Sequence, residues 1–173
     1  MYSSYFERAP GLGRFIEYLR PLFTQATLRL QAAPICVPDD SLKKVSPIAH
    51  VARDSPLETR KALGISRESE TILISMGGIS MNYEFFDALA AAPQYHFIVA
   101  GASAPQGTAN NITALPAKSG MYHPDLVAAS DAVVGKVGYS TVCEAYLGRT
   151  QFFSFLVRCS RNRSSWRSLC RRR

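Results

Sequence analysis

Short apolar stretches alternate with amphipathic ones from residue 71 to residue 157, and this alternation constrains the fold more than any other feature of the chain. The apolar stretches have the composition and length of buried strands. They are TILISM (71–76), YHFIVAG (95–101), NITAL (111–115), DAVVG (131–135) and QFFSFLV (151–157). The helical stretches between them are MNYEFFDALAAA (81–92), PDLVAAS (124–130) and STVCEAYL (140–147). This order predicts an α/β doubly wound fold, with a Rossmann-like parallel sheet flanked by helices.

A helix start signal stands before the first strand, in SPLETRKALG (55–64). Ser55 is placed as the N-cap, Pro56 occupies the first helical position, and Glu58 completes a capping box with Ser55. Gly64 is placed to end the helix. We therefore predict one short helix here. Residues 1–50, which precede it, are expected to form a helix-rich lead without its own core, since LGRFIEYLRPLF has helical spacing and prolines follow it.

The net charge of +7 is concentrated at one end of the chain. Residues 158–173 contain seven arginines and no acid, and the 13 basic residues outside them equal the 13 acidic ones. Charge confined to a segment without helical or strand period argues against a nucleic-acid-binding face. We expect an Arg-rich, disordered tail, hypothesised to be the product of a frameshift, and no specific nucleic acid as partner.

The sequence lacks membrane-spanning, signal-peptide and metal-binding patterns. No apolar run is long enough to span a bilayer, and the first residues lack the apolar region of a signal peptide. The four cysteines form no C-x-x-C pair, so neither a zinc site nor a disulfide framework is indicated. We expect a cytoplasmic protein with reduced thiols, no transmembrane segment and no metal.

One stretch, VGKVGYSTVCEAYLG (134–148), places small and hydroxyl residues between a strand and a helix. Lys136, Gly138, Tyr139, Ser140 and Thr141 lead into that helix. An open helix start with small neighbours and a nearby ammonium group suits a diphosphate. The alternative for the lysine is a solvated strand end.

Gly77 and Gly78 follow the strand TILISM in a similar way. Backbone amides there could hold a phosphate oxygen. The pair does not form the G-x-G-x-x-G motif of dinucleotide-binding proteins, and a tight turn explains it equally well.

Glu144 has two interpretations. Thr141 and Glu144 have the spacing of a capping box, which would bind the carboxylate to the backbone. Alternatively the carboxylate accepts hydrogen bonds from a vicinal diol such as a ribose presents. The spacing leaves both possibilities open.

The segment HPDLVAASDAVVGKVGYSTVCEAYLGRTQF (123–152), together with TILISMGG (71–78), resembles the donor-binding half of GT-B glycosyltransferases. The family 28 group, typified by the UDP-N-acetylglucosamine transferase of peptidoglycan synthesis, is most similar in pattern. GKVGYSTVCEA (135–145) also resembles the glycosyltransferase-like N-terminal half of plant L-arabinokinases. The resemblance covers about residues 55–153.

The resemblance implies roles for particular residues. In the family, the glutamate matching Glu144 binds the nucleotide ribose, the turn matching Gly138–Thr141 approaches the diphosphate, and the glycines matching Gly77 and Gly78 line the interdomain cleft. It therefore implies the C-terminal half of a GT-B fold, with residues 51–157 as a nucleotide-sugar donor-binding domain. A UDP-sugar would be the substrate, and no further cofactor is expected.

The chain also departs from the family pattern. The acceptor-binding domain is absent except for a remnant and linker in residues 1–50, and the polar segment that grips the donor sugar does not follow the last strand. We therefore expect a truncated glycosyltransferase that needs a missing acceptor domain or partner chain. No catalytic residue is assigned: His50 and His123 are candidate bases by residue type, but ordinary loop histidines are expected. The alternative is a non-catalytic nucleotide-binding or regulatory module related to a sugar-kinase fusion.

Overall fold

A computed structural model describes residues 10–35, 37–76, 85–103, 105 and 108–154. They belong to two compact units, which divide after Pro47. The first unit contains a 3-10 turn (Pro10–Leu12), α1 (Gly13–Thr24), β1 (Leu30–Ala32) and β2 (Lys43–Val45). The two strands pair in parallel. The helix was predicted from the sequence, whereas the strands were not, because three-residue strands carry too short an alternation to detect.

The second unit, which begins at Ile48, is built on a five-stranded parallel sheet. Its elements are α2 (Pro56–Ala62), β3 (Glu70–Ser75), α3 (Phe86–Ala90), β4 (Tyr95–Ala100), β5 (Ile112–Leu115), α4 (His123–Ala128), β6 (Ala132–Gly135), α5 (Tyr139–Leu147) and β7 (Gln151–Ser154). The strand order is β5-β4-β3-β6-β7, which places β3 at the centre. The predicted α/β fold with a parallel sheet is confirmed. The Arg-rich segment lies outside the described residues, and no described helix combines the length and apolarity needed to cross a bilayer.

Both faces of the sheet are covered, and β3 contributes a buried side chain to each. Leu73 lies opposite Ile98 of β4 on one face, and Ile74 lies opposite Val99 on the other. The first face packs against α4 and α5, through Leu126, Val127 and Ala145. The second packs against α3, through Phe86, Leu89 and Ala90. Burial on both faces is the reason that the strands are continuous apolar runs in the sequence.

The capping box predicted for α2 is present. The Ser55 hydroxyl accepts a hydrogen bond from the Glu58 amide at 3.3 Å, and the Ser55 amide donates to Glu58 Oε2 at 3.0 Å. Hydrogen bonds from Ser55 hold the pKa of the Glu58 carboxyl below its usual value. Gly64 follows the helix with φ of 69°, a left-handed conformation that glycine adopts without strain.

Arg60 of α2 forms hydrogen bonds with groups at the amino-terminal ends of β3 and β6. Its guanidinium donates to the carbonyls of Ser69 and Ala129 at 3.0 and 2.8 Å, and it pairs with Asp131 Oδ2 at 2.9 Å. The same carboxylate oxygen accepts the amide of Thr71 at 2.7 Å. One side chain therefore joins α2 to the segments that begin β3 and β6.

The opposite, carboxyl-terminal edge depends on a glycine. Gly135 ends β6 directly beside Ser75, the last residue of β3. A Cβ atom on Gly135 would overlap the carbonyl oxygen of Ser75. The two strand ends can approach this closely only because Gly135 has no side chain.

Gly135→Ala should destabilise the sheet by about 1 to 3 kcal/mol, since the added methyl group meets backbone rather than a movable side chain. Chemical denaturation followed by circular dichroism measures this. Gly11→Ala is the control, because a Cβ there would meet nothing within 4 Å. Equal stability of the two variants would contradict the close approach.

Arg60→Met should cost about 2 to 3 kcal/mol of unfolding free energy, because it removes the guanidinium that donates to the Ala129 and Ser69 carbonyls and pairs with the Asp131 carboxylate. Lys61→Met, at the exposed next position in the same helix, should change it by less than about 0.5 kcal/mol. Similar losses in both variants would show that helix propensity, and not the network, is responsible.

Candidate functional site

The order of the strands creates a topological switch point at the centre of the sheet. From β3 the chain proceeds outward through β4 to β5, then returns to pair β6 with the other side of β3. Parallel α/β sheets bind ligands outside the carboxyl ends of their strands, at such a switch point. Ser75 and Gly135 end the two strands there. Gly77 and Gly78, predicted to contribute, lie outside the described residues, so their role stays a prediction.

The loop after β6 and the first turn of α5 lie at this switch point. Lys136 is exposed in the loop, and Gly138 is the N-cap of α5 with an extended backbone (φ −110°, ψ 144°). Because glycine has no side chain, it caps none of the first-turn amides. Ser140 is exposed at this turn, and Thr141 is buried. The helix start is thus left available to an anionic group.

Tyr139, the first residue of α5, has a structural contact. Its hydroxyl accepts a hydrogen bond from the Ile48 amide at 3.2 Å, and burial raises the pKa of the phenol. Burial also raises the pKa of the Cys143 thiol, one helical turn further along. The thiol is therefore neutral at physiological pH and adds no charge beside Glu144.

Glu144 does not form the capping box that its spacing suggested. The helix begins at Tyr139 with Gly138 as N-cap, and no side chain caps it. Glu144 therefore lies well inside the helix, where its carboxylate cannot reach the N-cap amide. The side chain is only 7% exposed, and Oε2 accepts a hydrogen bond from Nδ1 of His123 at 2.7 Å.

His123 is not the ordinary loop residue that we expected. It is the first residue of α4, and its Nε2 lies 2.9 Å from the hydroxyl oxygen of Ser75. Ser75, His123 and Glu144 thus form a continuous hydrogen-bonded chain across β3, α4 and α5. Sequence analysis missed Ser75 completely, since nothing distinguishes it from any other polar residue at the end of a strand.

The start of α4 is also fixed from the other side. The buried Asp125 carboxylate accepts the backbone amides of Arg53 and Asp54 at 2.6 and 3.2 Å. The Arg53 guanidinium lies over the Tyr122 ring, 4.0 Å from its centre. His50 meets the same ring edge-on and is an exposed loop residue, as expected. These contacts hold His123 in place without involving Glu144.

The site thus combines a buried carboxylate, an imidazole, an open helix start and a lysine at one edge of the sheet. Such a set can bind hydroxyl groups and an anion. Nowhere in the described ranges do three or more histidine, cysteine or acidic side chains gather into a metal-binding group.

Comparisons with known proteins agree with the fold. No established protein-family profile matches the chain. The L-arabinokinase of Arabidopsis thaliana is 34% identical over 95 residues, which cover 55% of this chain and 9% of that protein. The glycosyltransferase SnogD from Streptomyces nogalater superposes with a TM-score of 0.53 at 14% identity, over 83% of this chain and 48% of that one. The calicheamicin glycosyltransferase CalG4 superposes with a TM-score of 0.53 at 14% identity, over 89% of this chain and 43% of that one.

The chain spans about half the length of these two solved structures and a far smaller part of the arabinokinase. At 14% identity, the structural likeness is one of fold. It agrees with the five-stranded parallel sheet flanked by helices. The chain contains a GT-B glycosyltransferase-like domain.

Proposed function

We propose that this domain binds the nucleotide of a UDP-sugar and is the donor-binding half of a glycosyltransferase. The observation that carries the proposal is the carboxylate of Glu144. One of its oxygens is fixed by His123, and no hydrogen bond from the described residues reaches the other, Oε1. The side chain is 7% exposed, so a ligand hydroxyl group can reach this oxygen and would donate a charge-assisted hydrogen bond to it.

The spacing within α5 supports a nucleotide in particular. Glu144 is five residues after Tyr139, which corresponds to about 7.5 Å along the helix axis. In a nucleoside diphosphate, the ribose diol is separated from the phosphates by the short C4′–C5′–O5′ link. A ribose on Glu144 would therefore bring the diphosphate toward the open helix start at Gly138.

The charges at that helix start suit a diphosphate. The helix dipole and the uncapped first-turn amides favour an anion, and the exposed Lys136 can add its positive charge. Ser140 and Thr141 supply small side chains that allow close approach. Gly77 and Gly78 belong to the same proposal, as residues that line the cleft.

Transfer of the sugar requires more than donor binding. An acceptor hydroxyl group has to be held close to the anomeric carbon. We propose that an acceptor domain or partner chain supplies this, that the present chain is incomplete for transfer, and that the protein acts in the cytoplasm. No described residue is assigned as the catalytic base.

A second candidate function is favoured by the similarity to an L-arabinokinase. In that case the domain is a non-catalytic nucleotide-binding or regulatory module joined to a sugar kinase. The flanking DNA discriminates between the two: an adjacent kinase reading frame supports the module, and an acceptor-domain frame supports the transferase.

UDP or a UDP-sugar should bind weakly, and chelating agents should not weaken binding, because the proposed contacts to the ribose and the diphosphate need no metal. Calorimetric titration of UDP, GDP, ADP and NAD, with and without EDTA, measures this. If none of them produces heat or NMR shifts at millimolar concentration, the donor-binding proposal is wrong.

Glu144→Gln should weaken UDP binding by about 1.5 to 3 kcal/mol, roughly ten- to a hundredfold, because it removes charged hydrogen bonds to the ribose. Glu58→Gln makes the same substitution at the exposed capping box of α2 and should leave affinity unchanged. A lower melting temperature for Glu144→Gln with unaltered affinity would assign the carboxylate a purely structural role.

A further inference from the structure

Ser75, His123 and Glu144 are joined by two hydrogen bonds, although they come from three different elements. The Ser75 hydroxyl and His123 Nε2 are 2.9 Å apart, and His123 Nδ1 and Glu144 Oε2 are 2.7 Å apart. The imidazole is therefore held at both of its nitrogens. The ring cannot turn without breaking at least one of these bonds.

The chemistry of the groups determines which nitrogen carries the proton. An ionised carboxylate only accepts hydrogen bonds, so Nδ1 of His123 must donate to Glu144. The Nε2 atom of the neutral ring is then an acceptor, and the Ser75 hydroxyl donates to it. The carboxylate thus fixes the tautomer, and the hydroxyl, which can donate as well as accept, completes the hydrogen bonding of the ring.

Serine, histidine and a carboxylate in this order also occur in nucleophilic triads. Here Ser75 is only 3% exposed, so an external electrophile cannot approach its oxygen. The His123 side chain is 32% exposed, and no described residue donates a hydrogen bond to Oε1 of Glu144. Of the three hydrogen-bonded side chains, the Glu144 carboxylate and not the Ser75 hydroxyl is therefore the group that can contact a ligand.

We infer that Ser75 and His123 are positioning residues that orient the Glu144 carboxylate so that Oε1 accepts hydrogen bonds from a vicinal diol. This inference rests on the proposed function. With Oε2 held by the imidazole, the carboxylate has one orientation before the ligand arrives. Without the imidazole it would be free to rotate toward solvent or other donors, and diol recognition would lose its preorganisation.

The diagnostic quantity is the affinity for UDP divided by the affinity for 2′,3′-dideoxy-UDP, which lacks the diol. Calorimetry gives this diol ratio for the wild type and each variant. His123→Leu should reduce the ratio about tenfold while the affinity for the dideoxy nucleotide stays unchanged. Ser75→Ala should reduce it in the same direction by a smaller factor, because Nδ1 can still donate.

Two further variants separate positioning from general packing. His123→Asn places an amide nitrogen close to the position of Nδ1 and should restore most of the diol ratio. His96→Leu is the matched control. In the wild type, Nε2 of His96 forms a hydrogen bond with the Thr113 hydroxyl at 2.8 Å, near the amino-terminal end of β4. This variant should leave the ratio unchanged.

The outcomes distinguish the inference from the proposed function. If the wild type binds both nucleotides equally or neither, the proposed function fails. If Glu144→Gln abolishes the diol ratio but His123→Leu preserves it, the proposed function holds and the positioning role is wrong. If His123→Leu does not fold, ¹⁵N NMR of the wild-type imidazole decides: the Nδ1–H tautomer supports the inference, and the Nε2–H tautomer overturns it.

Discussion

The close pairing of β3 with β6 is the constraint on which the rest of the domain depends. These strands lie on either side of the point where the chain reverses its direction across the sheet, and Gly135 lets their ends approach at Ser75. The loop after β6 and the start of α5 consequently lie beside the end of β3. A bulkier residue at this position would separate the strand ends and displace both the helix start and the Ser75 hydroxyl.

Two polar networks lie at opposite ends of this strand pair, and they differ in how completely they are satisfied. At the amino-terminal edge, the guanidinium of Arg60 meets carbonyl and carboxylate acceptors, so that network is closed within the protein. At the carboxyl-terminal edge, one oxygen of Glu144 bonds His123, and no described residue donates a hydrogen bond to the other. The first network stabilises the fold, whereas the second has an acceptor that the described protein groups leave unused.

Local signals predicted the elements well. The capping box of Ser55 and Glu58 was correct because it depends on residues three positions apart. At Thr141 and Glu144 the same spacing left two interpretations open, and the capping box is not formed, since α5 begins at Tyr139 with Gly138 as its N-cap. A helix that began after Thr141 would leave the fold unchanged and would place Glu144 in the capping position. Because α5 begins at Tyr139, Glu144 lies further along the helix, where its carboxylate bonds His123.

The sequence by itself determined the parallel sheet and its flanking helices, because strand and helix periodicity are local properties of the chain. Only the tertiary structure decided that His123 and Ser75 belong to the site. They are separated by 48 positions, and His123 from Glu144 by 21. No spacing rule connects residues so far apart. Their contact arises from the register of β3 with β6 and from the packing of α4 against α5, which the whole hydrophobic core sets.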